Sequence, residues 1–356
     1  MVENRNQNNP MSEATAKATS ALVTLAAIVV LVAGMKAASE IIVPFIFSIF
    51  IAIIFAPVLL WLTRHRVPNV VAVIIILLGI ILIGTLVSVA IGTSVQQFTR
   101  ALPVYQASLQ GQFSAFIALL TNLGVEVSSD GFSEAFDPRS AIRWVNQLLI
   151  GLGALFTNAF LIIFTVLFIL LEASDFPAKL QAVRGQIGSD LGYTGQFFSS
   201  VQRYFGLKTL TSLATGIAVT IMLVIVGVDF PVLWGLVAFL FNYIPNIGSI
   251  IAAVPAVLLA LVQFGVGPAI GVAAGYVGIN MVFGNLLETR IMGKGMGLSA
   301  LVVFVSLVFW GWVFGSIGMI LSVPLTMLAK LALENREDTR WIAVLLGSGA
   351  PRAQED

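Results

Sequence analysis

The chain has 356 residues, 58% of them hydrophobic and only 10% charged, with a formal net charge of +1 and a mean hydropathy of +1.01. Soluble domains carry about 25% charged residues, whereas this sequence repeats apolar stretches near the roughly 20 residues a helix needs to cross a bilayer, so the composition places it in a membrane. The near-neutral charge leaves no basic face for nucleic acid, and the absence of cysteine excludes disulfides, iron–sulfur clusters and thiolate-bound zinc.

Residues 1–20, rich in Asn, Ser, Thr and Ala, are expected to form a disordered cytoplasmic tail. They lack the cationic start and small-residue cleavage site of a secretory signal, so the first apolar run is expected to stay as a span. Residues 21–92 then read as three scaffold spans: Leu22 to Ala38, Ile41 to Leu62 with Pro44 and Pro57 inside it, and Val70 to Ile91. Arg64-His65-Arg66 forms a basic turn between the second and third. The single histidine there reads as an interfacial flank, because one imidazole supplies no metal site.

Residues 93–146 lack a full apolar run and read as an extracytoplasmic region: an amphipathic half interrupted by Pro103, then a polar loop with Glu126, Asp130, Glu134 and Asp137. Residues 147–171 hold the fourth span, and 172–208 read as a cytoplasmic amphipathic region. Residues 209–330 read as a C-terminal membrane region, opening with a fifth span, Leu210 to Val228, and residues 331–356 as a cytoplasmic tail. Lys and Arg favour the cytoplasmic side of short loops. With the amino terminus inside they divide twelve to four toward the inside segments, which puts both termini in the cytoplasm.

Two apolar runs in the C-terminal half are too long for ordinary spans. Val232 to Leu261 is interrupted at Asn242-Tyr243-Ile244-Pro245-Asn246-Ile247-Gly248, and Leu298 to Leu328 at Trp310 to Gly318. Proline removes a backbone donor and disfavours helix before it, and glycine supplies the φ values a turn requires. Asn246-Ile247-Gly248 before Pro255 resembles Ser316-Ile317-Gly318 before Pro324, a weak internal repeat. Irregular backbone at membrane depth persists only where protein buries it or water reaches it, and paired interruptions point to a midplane site. Two proline-kinked spans are the plainer alternative, and either arrangement returns the carboxy terminus to the same side.

Between the breaks, Gly267-xxx-Gly271-xxx-Gly275 forms a small-residue stripe suited to close helix packing. Asn280, Gly284 and Glu288 then follow at i, i+4 and i+8 on one α-helical face, with Asn285 beside it and Arg290 after it. A charge at depth is costly and usually points into the bundle; the alternative is an interfacial Glu288–Arg290 pair. The expected fold is therefore all-α, a polytopic integral membrane protein with about eight transmembrane segments and two broken or re-entrant helices in its C-terminal half. No phosphate-binding loop is present, since Gly293-Lys294-Gly295 lacks the required hydroxyl residue, and no catalytic constellation is in view. Neither an enzyme nor a nucleotide-driven pump is expected, and no cofactor.

Phe241 to Gly248 with Pro255, Asn285 to Gly293 with Gly297-Leu298-Ser299, and Trp310-Gly311-Trp312 with Gly315 to Met319 and Pro324 together resemble the autoinducer-2 exporter family of bacterial transporters. The sequence departs from that pattern at Thr289 and Ala300, where members often carry proline. The resemblance implies export of a small polar signal molecule, or Na+(Li+)/H+ exchange on the same scaffold. It also implies a homo-oligomer, a pentamer among the allowed assemblies, with a mobile C-terminal half. A non-transporting membrane scaffold is the remaining alternative. On the transport reading, Asn242, Pro245, Asn246, Gly248, Asn285, Ser316 and Gly318 are the candidate solute-binding residues, and Glu288 with Arg290 the candidates for coupling to Na+ or H+.

Overall fold

A computed structural model describes residues 10–122, 145, 147, 158–173, 192–245, 247–287, 298–334 and 338–347. The described residues form helices α1 (Pro10–Ala37), α2 (Ser39–Arg64), α3 (Asn69–Asn122), α4 (Ala159–Ala173), α5 (Gly192–Val226), α6 (Pro231–Phe241), α7 (Ile247–Phe264), α8 (Val266–Ile279), α9 (Ala300–Glu334) and α10 (Arg340–Leu345), with a π-helical segment, Asn280–Leu287, continuing α8. Six helical stretches are long and apolar enough to cross a membrane, and three shorter apolar helices accompany them. The protein is an all-α, multi-pass membrane protein.

Helix boundaries depart from the expected ones where local polarity does not stop a helix. Residues 10–20, expected as disordered tail, already belong to α1. α3 runs 54 residues without interruption, about 80 Å at 1.5 Å per residue, straight through the expected boundary at 92/93. Pro103 does not end it, because Pro103 and Thr99, the residue whose carbonyl loses its partner, both lie on an exposed face. α5 likewise passes through the expected boundary at 208/209. Beyond residue 331, α9 continues to Glu334, and the chain after α10 returns to its root, where the Ser299 N–H donates to the Leu346 carbonyl at 3.1 Å.

Both expected breaks are helical hairpins. α6 has 11 residues, about 16 Å, too short for a hydrocarbon core of roughly 30 Å. The chain reverses between α6 and α7, and α7 packs back along α6. α9 reverses at a single residue, Gly315, at φ 66° and ψ −148°. Its arms, 300–314 and 316–334, lie antiparallel: Ser306 Oγ donates to the Ser322 carbonyl at 2.9 Å and bonds Thr326 Oγ1, and Trp310 Nε1 donates to Thr326 Oγ1 at 3.0 Å. These bonds satisfy polar side chains inside the hairpin, as an apolar solvent requires.

Gly248, expected to supply turn dihedrals, does not, and neither does Gly318; the positive φ of the second turn falls on Gly315. Their role is close approach. A Cβ on Gly248 would overlap the Phe241 carbonyl oxygen, and one on Gly318 the Trp310 carbonyl oxygen. The closely packed glycine pair also differs from the expected stripe. Of the stripe, Gly275 does pack closely, against the Met222 side chain of α5, but Gly267 and Gly271 have open space where a Cβ would stand; the closest backbone approach is instead at Gly216 of α5, where a Cβ would lie 2.8 Å from the Gly235 carbonyl of α6. Backbone-to-backbone packing of this kind holds membrane helices together without a hydrophobic driving force.

Three apolar clusters organise the molecule. One joins the outer half of α3 (Ile91, Phe98, Tyr105) to the C-terminal half of α5, to α6 and α7, and to α8. A second joins α2 and the N-terminal half of α5 to α9. A third joins α2, the first part of α3, and α4.

Candidate transport site

The first hairpin closes at its root because proline at 231 disfavours the right-handed helical region at Phe230. Phe230 takes a left-handed conformation, φ 58° and ψ 45°, ahead of Pro231 at the start of α6. Phe98 of α3 packs edge-on against Phe230 and Trp234, with ring centroids 6.1 and 6.0 Å away. Asp229 is the polar centre of this root. Its carboxylate accepts from Tyr105 OH at 2.7 Å and from Gln263 Nε2, its N–H donates to Gln263 Oε1 at 3.2 Å, and its carbonyl accepts from Trp234 Nε1 at 3.1 Å. One and two turns along α3, Ser108 Oγ donates to the Val262 carbonyl at 2.8 Å, and Gln112 Nε2 to the Leu261 carbonyl at 2.9 Å. Thus α3 grips both ends of the first hairpin.

At the tip, two side chains pin the turn to the middle of α5. Buried Asn242 donates through Nδ2 to Ser212 Oγ at 2.9 Å, and Tyr243 OH donates to Thr209 Oγ1 at 2.8 Å. The Ile244 N–H reaches the Phe241 carbonyl at 2.8 Å, and the Pro245 carbonyl accepts from Ile247 N–H at 2.7 Å, so the turn satisfies part of its own backbone. Tyr243 packs into the same apolar cluster as Tyr204 and Phe205 of α5 and as Val313, Phe314 and Ile317 around the second tip. Both tips therefore converge on α5. The second tip also meets α1, where Lys36 Nζ lies 3.7 Å from the Trp312 ring centroid.

Of the sequence candidates, Asn242 is buried at the first tip, Pro245 is half-buried beside it, and Gly248 and Gly318 are buried where hairpin arms touch. Ser316 is exposed immediately after Gly315. Asn285 lies in the π-helical segment, and its side chain is outside the described residues, as are Asn246, Glu288 and Arg290. The face expected for Asn280 and Gly284 is wound as π-helix instead of α-helix, a rare form that recurs at functional sites. A Cβ on Gly284 would stand 2.7 Å from Asn280 Oδ1, so the wide turn brings the asparagine across the glycine.

Sequence reasoning missed the α5 side of the site. Lys208, Thr211, Ser212 and Thr215 are all buried and share a helical face at i, i+3, i+4 and i+7. That spacing was visible, but Lys208 read as the last charge of a surface region. The Ser306–Ser322–Thr326 zipper was likewise missed, since its antiparallel register appears only once the hairpin is folded.

Comparison with known proteins gives a consistent picture. The family model described as AI-2E family transporter matches residues 25–337. The AI-2 transport protein TqsA of Escherichia coli (strain K12) is 43% identical over 325 residues, covering 91% of this chain and 94% of that protein. A Haemophilus influenzae protein described as a candidate transport protein is 40% identical over 332 residues, covering 92% and 95%. YhhT of Escherichia coli (strain K12), again a candidate transport protein, is 34% identical over 333 residues, covering 94% and 95%.

Proposed function

Because the chain belongs to the AI-2E family of membrane transporters, we propose that it exports a small polar solute, resembling the signal molecule for which its relative TqsA is named, by alternating access between its two hairpin tips. The observation that carries this reading is the convergence of two broken-helix tips on α5, the first through polar bonds and the second through an apolar cluster. Interrupted helices free backbone amides and carbonyls for a cargo, and two such tips on one element give two gates onto one site. Asn242, Pro245, Asn246, Gly248, Asn285, Ser316 and Gly318 line the route in this reading, with Glu288 and Arg290 coupling it to Na+ or H+.

The gripping of hairpin 1 by α3 supports a particular division of labour. Among the described residues, five side chains of the α3 extension and the hairpin root, those of Tyr105, Ser108, Gln112, Asp229 and Gln263, form hydrogen bonds there, whereas two side-chain bonds fasten the tip to α5. A hydrogen bond contributes about 1 kcal/mol net, so the tip is the part that opens and the α3 extension moves with the root. Residues 93–122 then belong functionally with the transport region.

Purified protein in proteoliposomes, offered a panel of radiolabelled polar metabolites with and without imposed ion gradients, tests the proposal. At least one solute should move well above the rate of protein-free vesicles. No movement of any solute under any gradient would overturn the reading and favour a non-transporting scaffold.

A further inference from the structure

We infer that the turn joining α2 to α3 binds the headgroup of an anionic phospholipid, with Arg64 and Arg66 holding the lipid phosphate and Trp61 lying beside its glycerol region. The inference is independent of the transport reading. Both helices are long and apolar enough to cross a membrane, so the turn between them stands at a membrane surface.

The turn is strained at an arginine. Arg66 takes φ 64°, and the other non-glycine residue with positive φ among the described residues, Phe230, precedes a proline. Arg66 occupies the residue after the cap of a Schellman motif: the Val67 N–H donates to the Leu62 carbonyl at 3.2 Å, and the Arg66 N–H to the Thr63 carbonyl at 3.1 Å. Glycine is the usual residue there, because a Cβ is disfavoured in the left-handed region. The helix end does not need the guanidinium. Its Leu62 and Thr63 carbonyls are satisfied by backbone, and His65 donates through Nδ1 to the Trp61 carbonyl at 2.8 Å. Arg64, His65 and Arg66 are all exposed, and neither guanidinium forms an ion pair or hydrogen bond among the described residues. A strained residue persists where function uses it, and here no partner within the described chain does.

The surroundings select a lipid over a free phosphate. Guanidinium groups pair with phosphate oxygens through two parallel hydrogen bonds, and basic residues beside a span are drawn to anionic headgroups. One turn toward the span, Leu60 and Trp61 are exposed, as are Val70 and Val71 in the first turn of α3. The Trp61 ring stacks on His65, centroids 4.5 Å apart, and tryptophan favours the headgroup level of a bilayer. Cations at the turn with apolar side chains next to them match a phosphate that carries acyl chains. Glu172, at the end of the neighbouring α4, has a partner of its own.

The test reads the thermal unfolding midpoint of the full chain in an uncharged detergent with added phosphatidylglycerol, phosphatidylcholine or glycerol 3-phosphate. Phosphatidylglycerol should raise the wild-type midpoint about 4 °C more than phosphatidylcholine does, and glycerol 3-phosphate should leave it unchanged. Arg66→Gly relieves the strain, so its lipid-free midpoint should rise by about 2 °C, while at least half of the phosphatidylglycerol increment is lost. Arg64→Gln combined with Arg66→Gln should lose nearly all of that increment. Equal wild-type responses to the two lipids overturn the inference, and so does glycerol 3-phosphate that stabilises as well as phosphatidylglycerol. A lower lipid-free midpoint in Arg66→Gly shows that the arginine serves the fold, and an undiminished increment shows that it does not meet the lipid; either result overturns it too. Should Arg66→Gly not fold, Arg66→Asn, which tolerates the same backbone conformation, is judged by its increment in the same way.

Discussion

Gly248 and Gly318 show why residue identity matters where hairpin arms touch. Each faces a carbonyl oxygen of the opposing arm, seven and eight residues earlier in the chain, with no room for a methyl group. Gly248→Ala and Gly318→Ala must separate the arms, and forcing extra atoms into a packed site costs roughly 1–3 kcal/mol. Each should lower the thermal unfolding midpoint of the detergent-purified protein by several degrees. Gly271→Ala, which meets open space, should stay within about 0.5 kcal/mol of wild type. Equal shifts in all three would refute close approach as the reason for the two hairpin glycines. Glu288 is a prediction carried by sequence alone. Glu288→Gln should abolish the ion-gradient dependence of transport and leave the unfolding midpoint near wild type; unchanged gradient dependence in proteoliposomes removes Glu288 from the coupling.

At the scale of elements, α3 has a double life. Its first part packs with α2 and α4, and its outer part packs with the first hairpin through Ile91, Phe98 and Tyr105, spaced seven residues apart. Polar bonds from Tyr105, Ser108 and Gln112 then hold the hairpin root. A hydrogen bond to a charged acceptor is worth about 1.5–3 kcal/mol and a neutral one about 1. The combined substitution Tyr105→Phe, Ser108→Ala and Gln112→Ala should therefore loosen the root. Amide hydrogen exchange across 261–265 should rise at least tenfold, with 300–334 unchanged. Uniform acceleration of both hairpins would instead mean that α3 supports the fold as a whole.

At the scale of the molecule, the outer surface is apolar, with Ile41 73% and Ile225 78% exposed, as expected of helices facing lipid. Polar side chains gather instead at the hairpins and on α5, where they pair with each other. This segregation places the polar contacts of the first hairpin tip on α5. The native chain has no cysteine, so paired cysteines report without background. In the double variant Asn242→Cys with Ser212→Cys, a short thiol-reactive cross-linker should stop solute flux at least tenfold, and the single variants treated alike should not respond. Full flux in cross-linked protein shows that the first tip does not open during transport.

The sequence by itself determined membrane residence, an all-α fold and the presence of two interrupted helices. Hydropathy, proline and glycine act within windows of about twenty residues, and those windows were on the page. It also singled out Asn242 and the glycines of both breaks, although it read Gly248 as a turn former where close approach of the arms requires it. Only the tertiary structure decided that the breaks are antiparallel hairpins, that α3 and α5 run on through polar stretches, and that Lys208 is buried. Each of these depends on partners far along the chain: Asn242 lies 30 residues from Ser212, and Tyr105 lies 124 from Asp229. A polar residue looks like surface to its neighbours in sequence; whether it meets water or another helix is settled by packing.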